Sequence, residues 1–136
     1  MPRKTDSDNP ADWLWISGSD LEGLRVLVER ELSHALCKGK LAEVLEKILK
    51  AELIRIGWTL EKTHDLRKLA SELQIRDSDF AMQFRESVEA LAESYFLDRY
   101  PGFDLADPDW PALREHLASV TALLAAVEAR LGGSER

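Results

Sequence analysis

The chain has 136 residues and a mass of 15.4 kDa, a length at which one domain buries roughly two-thirds of the surface its unfolded chain exposes. It is 45% hydrophobic and 32% charged with seven Gly and five Pro, which excludes a disordered, collagen-like or low-complexity polymer. Eighteen Lys and Arg against 25 Asp and Glu give a net charge of −7. The molecule as a whole therefore repels a phosphate backbone, which speaks against non-specific nucleic-acid binding, although a local basic patch can still hold one nucleotide or an RNA end.

The first ten residues are polar and lack an apolar signal-peptide core, and no apolar run approaches the roughly 18 residues of a membrane span. The single Cys37 has no internal disulfide partner and lies in an apolar helical stretch, which reads as a buried, inert thiol. A cytoplasmic protein with no membrane association fits.

In chain order, residues 1–12 read as a flexible tail, followed by a Trp13-Leu14-Trp15-Ile16 cluster expected to fold onto the domain as the lead-in to a helix. Ser19-Asp20-Leu21-Glu22 has the form of a capping box and predicts the start of the first helix at Ser19. Leu21, Leu24, Val28, Leu32 and Ala35 keep helical spacing, and Lys38-Gly39-Lys40 offers a break or a kink. Leu41, Val44, Leu45, Ile48, Leu49, Leu53 and Ile56 predict a second helix ending at Gly57. Thr63 is the expected cap of a short third helix with Leu66, Leu69 and Leu73 inward.

Ser78 or Asp79 caps a longer fourth helix with the stripe Phe80, Phe84, Val88, Leu91 and Tyr95, stopped by Arg99-Tyr100-Pro101-Gly102. Asp107-Pro108 or Asp109 opens a final helix with Leu113, Leu117, Val120, Leu124, Val127 and Leu131 inward, ended by Gly132-Gly133. No window alternates as a strand does, and no repeat is visible. The expected fold is all-α, an up-and-down four-helix bundle with one additional short helix; the domain spans residues 13–131, and 132–136 form a C-terminal tail.

His64-Asp65 stands out, because an HD dipeptide at a helix start occurs in metal phosphohydrolases. The further ligands of such a site are missing, since His34 and His116 lack partners, and no metal is expected. Two readings remain for the pair: Thr63 caps the helix with Asp65 in its first turn, or His64 acts as a donor or general acid/base in a polar pocket. Glu46 and Lys50 form a favourable i, i+4 pair that a solvated helix face explains. Arg99 and Tyr100 close the fourth helix, and Arg99 offers a planar fork to phosphate. Ser33-His34 and Ser87 show no nucleophile constellation.

Trp13-Leu14, Asp20-Leu21, Glu46-Lys47-Ile48-Leu49-Lys50-Ala51, Lys62-Thr63-His64-Asp65-Leu66 and Arg99-Tyr100-Pro101-Gly102 follow one another in an order and spacing that resemble the HEPN domain. Val44-Leu45 stand where the family usually has small residues. The resemblance covers about residues 13–131. It implies a helical bundle that often dimerises, is frequently encoded beside a minimal nucleotidyltransferase, is linked to toxin–antitoxin or defence systems, and binds nucleotides; no cofactor is implied. The HEPN ribonucleases carry an Arg followed after four to six residues by a His. Here Arg30 and His34 are separated by three residues, Arg55 and His64 by eight, and Arg114 and His116 by one.

The leading expectation is therefore a non-catalytic HEPN module that binds a nucleotide or phosphate group through Lys47, Lys50, His64, Arg99 and Tyr100 and pairs with a nucleotidyltransferase. The alternative is a divergent, metal-independent ribonuclease acting through His64 with Asp65. A third is a purely structural helical dimer. Trp13, Trp15, Trp58 and Trp110 give more large apolar surface than a small bundle easily hides, which points, with the resemblance, to a homodimer.

Overall fold

The computed structural model describes residues 7–94 and 108–133, and within them the chain is all-helical. Three long helices, α1 (Pro10–Glu29), α2 (His34–Arg55) and α5 (Trp110–Gly133), pack on one another. Two short ones, α3 (Leu66–Ile75) and α4 (Ala81–Leu91), form a hairpin against α2, and α4 also touches α5. Among the described residues the chain is all-α with five helices, as expected, three of them long and two paired as a short hairpin. No helix there is long and apolar enough to cross a membrane.

The first helix begins nine residues earlier than the capping box at Ser19 predicts. Asn9 is extended and its side-chain oxygen accepts from the Ala11 N–H, with Pro10 at the first helical position and Asp12 in the first turn. That start signal is strong, so residues 10–12 are helical. The later Ser-rich segment is absorbed because Ser17 Oγ donates to the Trp13 carbonyl 2.7 Å away. The helix also splits the tryptophan cluster: Leu14 is buried and Trp13 half-buried, whereas Trp15 is 75% exposed and Ile16 faces outward with it.

The break between α1 and α2 lies at residues 30–33, not at Gly39, which is buried inside α2. Here the Leu32 N–H bonds the Leu27 carbonyl and the Glu31 N–H bonds that of Val28, a Schellman closure with Glu31 left-handed at φ 54°. The same closure ends α2 at Gly57 (φ 101°), where Trp58 N–H reaches Leu53 O, and ends α3 at Asp77 (φ 55°), where Ser78 N–H reaches Leu73 O. Of these three closures only the one at Gly57 carries a glycine, and it is the one of the three that the sequence announces.

Asp65, rather than Thr63, caps α3: its carboxylate accepts from the Lys68 N–H, while Thr63 Oγ1 accepts from the Asp65 N–H. Ser78 Oγ accepts from the Phe80 N–H before α4, and Asp109 caps α5 by accepting from the Ala112 N–H. The expected exit of the fourth helix at residues 99–102, with Tyr95, lies outside the described residues.

Helix α2 is the axis of the fold and packs against all four other helices. It is buried on nearly every side, with Leu41, Val44, Leu45, Ile48, Leu49, Ala51 and Leu53 in the core alongside Leu21, Leu69, Phe84, Leu91 and Val120. Cys37 is buried, its Sγ 3.3 Å from the Leu32 carbonyl, and burial lifts its thiol above the ordinary value. At the far end, the wholly buried Glu52 accepts from Arg55 Nε (2.7 Å), Arg55 Nη2 (2.9 Å) and Ser78 Oγ (2.6 Å). That carboxylate ties the end of α2 to the α3–α4 turn, and its hydrogen bond is the first cause raising the Arg55 pKa.

Candidate functional site

The chemistry gathers along one side of α2. Trp13 from α1, Glu43, Glu46, Lys47 and Lys50 from α2, and Lys62 and His64 from the segment leading into α3 line a groove of about 350 Å³, within the size range of small-ligand sites.

At its base lies a buried ion pair. Lys50 Nζ donates to Glu46 Oε2 at 3.0 Å, and the two side chains are only 3% and 5% exposed. The pair expected on a solvated helix face is therefore an interior one, because α3's lead-in and α1 cover that side of α2. Removing two charges from water is costly unless each keeps several partners. Lys50 gains the face of the Trp13 ring, 5.4 Å from Nζ to the centroid, and Trp13 Nε1 is itself held by donation to the Ser7 carbonyl at 2.7 Å. Glu46 gains His64, whose Nδ1 lies 3.0 Å from Oε1 and 3.2 Å from Oε2.

A carboxylate only accepts, so Glu46 favours the ring form with its proton on Nδ1. The imidazole itself is 64% exposed, which makes it an oriented ring at the mouth of the groove. On the neighbouring turn Lys47 donates to Asp20 at 2.9 Å, and Lys40 bridges Asp20 and Glu43. Lys62 makes no ion pair among the described residues. Lys47 and Lys50 are thus held by Asp20 and Glu46, which leaves Lys62 as the lysine at the groove with no carboxylate partner among the described residues, beside the exposed His64 ring.

Of the residues singled out from the sequence, Lys47, Lys50 and His64 come together here. Asp65 does not: its carboxylate is occupied in capping α3. Arg99 and Tyr100 lie outside the described residues. Sequence reasoning missed Glu43 and Lys62 as lining groups and saw Trp13 as a lead-in and a surplus apolar surface rather than as part of this groove. Its seat opposite Lys50 depends on how α1 crosses α2, which no local pattern encodes. Among the described residues no cluster of His, Cys, Asp and Glu has the makings of a metal site.

The model of the HEPN domain family matches residues 11–130. The chain belongs to the HEPN domain family. The match runs from the first turn of α1 to the last turns of α5 and takes in every residue of the groove. Neither the curated proteins nor the solved structures give a match. Within this HEPN domain the arginine–histidine pairs nearest in sequence have other duties: Arg30 is the C-cap of α1, His34 stacks edge-on against Trp110 at 4.9 Å, and Arg114 pairs with Glu31 at 2.6 Å.

Proposed function

We propose that this HEPN domain binds the phosphate of a nucleotide in the α2 groove and acts with a minimal nucleotidyltransferase as one half of a toxin–antitoxin or defence pair. The convergence of Lys47, Lys50, Lys62 and His64 on one groove beside the Trp13 ring carries this assignment. Lys62 and the exposed edge of His64 meet the phosphate with Lys47 behind them, and the indole offers an apolar wall to the base. The anionic remainder of the molecule repels long polyanions, which favours a single nucleotide over non-specific binding to a strand. Titration calorimetry with a nucleotide panel tests it: at least one nucleotide binds at or below about 1 mM, near −4 kcal/mol, and Lys62→Ala weakens it. Absence of heat with every nucleotide overturns the binding reading. Failure of the affinity-purified, tagged protein to retain a nucleotidyltransferase overturns the pairing, and light scattering reads out the homodimer that goes with it.

The Glu46–His64 contact favours a second reading, a metal-independent ribonuclease in which the oriented imidazole moves a proton. RNA cutting in the presence of chelator, abolished in His64→Ala, is its signature; cutting that survives His64→Ala removes it.

A further inference from the structure

A second groove, of about 210 Å³, runs between α3 and α4, where Arg67, Ser71 and Gln74 face Arg85 and Glu89 with Val88 among the lining residues. Arg55, Arg76, Arg114 and Arg130 each hold a carboxylate. Arg67 and Arg85, like Arg25 and Arg30, hold none among the described residues, but only Arg67 and Arg85 share a groove, in a chain that carries seven more acidic than basic side chains. Two unpaired guanidinium groups contributed to one groove by facing helices repel each other, and that cost is offset when an anion lies between them.

Arg67 sits in the first turn of α3, just behind the Asp65 cap. Ser71 Oγ donates to the Arg67 carbonyl at 3.0 Å, and the Gln74 amide supplies further N–H donors to the groove. Glu89, one turn beyond Arg85 on α4, also lines the groove, whose volume of about 210 Å³ is that of a small-anion site.

We infer that Arg67 and Arg85 form an anion subsite for a phosphate group, separate from the α2 groove. Two planar forks from opposite walls match the tetrahedral oxygens of a phosphate better than ammonium groups do. The ligand chemistry is the phosphate dianion, supplied either as free phosphate or as the terminal phosphate of a nucleotide. The site stands whether or not the α2 groove binds anything.

The test is a titration of ¹⁵N-labelled protein with inorganic phosphate at constant ionic strength, following the arginine Nε–H resonances. Arg67 and Arg85 shift together and saturably, Arg67→Ala and Arg85→Ala each weaken binding by about fivefold or more, and Arg85→Lys fails to restore it. These are exposed positions, so the backbone amide spectrum of each variant stays native and separates lost binding from lost fold. Shifts no larger than those from matched chloride, or an Arg67→Ala/Arg85→Ala double variant that titrates like the wild type, overturn the site. A parallel titration with a nucleoside 5′-monophosphate identifies the source. Tighter binding lost in the same variants assigns a nucleotide phosphate, and equal affinity assigns the free ion. Shifts at Trp13 and His64 report the α2 groove independently.

Discussion

Glu46 and His64, eighteen positions apart, meet with Nδ1 at 3.0 Å from Oε1, so a carboxylate in the middle of the core helix sets the ring at the mouth of the groove. The same carboxylate holds Lys50, and the three groups act as a unit. Lys50→Met strands a buried Glu46 and is expected to cost about 3 kcal/mol or more, whereas Lys50→Met with Glu46→Leu costs less than the sum of the two single changes. Urea midpoints of the four proteins check this, and additive losses sink it. In Glu46→Leu, which leaves no acceptor for Nδ1–H, the ¹⁵N signals of His64 move towards the ring form protonated on Nε2.

The Glu52–Ser78 hydrogen bond is predicted to be worth more than an ordinary one because its acceptor is charged and wholly buried. Ser78→Ala should destabilise by about 1.5–3 kcal/mol, read from chemical denaturation. A loss under about 0.5 kcal/mol means that Arg55 alone satisfies the carboxylate.

Glu31 pays for a left-handed backbone that glycine adopts freely. Glu31→Gly is expected to raise stability by about 1 kcal/mol, with Glu31→Ala as the control that removes the exposed Arg114 pair while keeping the strain. If the two variants denature together, the turn is relaxed by other means.

Desolvation lifts the Cys37 thiol above its ordinary value near 9.0. The folded state thus holds this proton more tightly than the unfolded one, so the contribution is intact below about pH 9 and stability falls as pH rises past it towards the folded value. Denaturation midpoints between pH 7 and 10 should decline less steeply in Cys37→Ala than in the wild type. Parallel curves refute the assignment.

Much of the fold was legible because burial repeats with helical period: Leu69 and Leu73 in α3, Phe84, Val88 and Leu91 in α4, and Val120, Leu124 and Val127 in α5 all face inward as their spacing requires. The α1–α2 break was not, since Leu32 and Ala35 continue the spacing of α1 straight through a turn whose left-handed residues are Glu31 and Ser33. The start of α1 was obscured in the opposite way, by a capping-box pattern at Ser19 that lies mid-helix. In the groove, Lys47, Lys50 and His64 were readable as motif residues. The burial of Glu46 and Lys50 and the recruitment of Trp13 arise only when α1 and the α3 lead-in close over α2.

The central place of α2 bears on how the domain breathes. The helix that supplies Glu46, Lys47 and Lys50 is also the one every other helix leans on, so its amides open to deuterium only when the whole domain unfolds, and their exchange measures the global free energy. A molecule held by those side chains therefore slows exchange throughout the core, at Leu69, Phe84 and Val120 as much as at its own contacts.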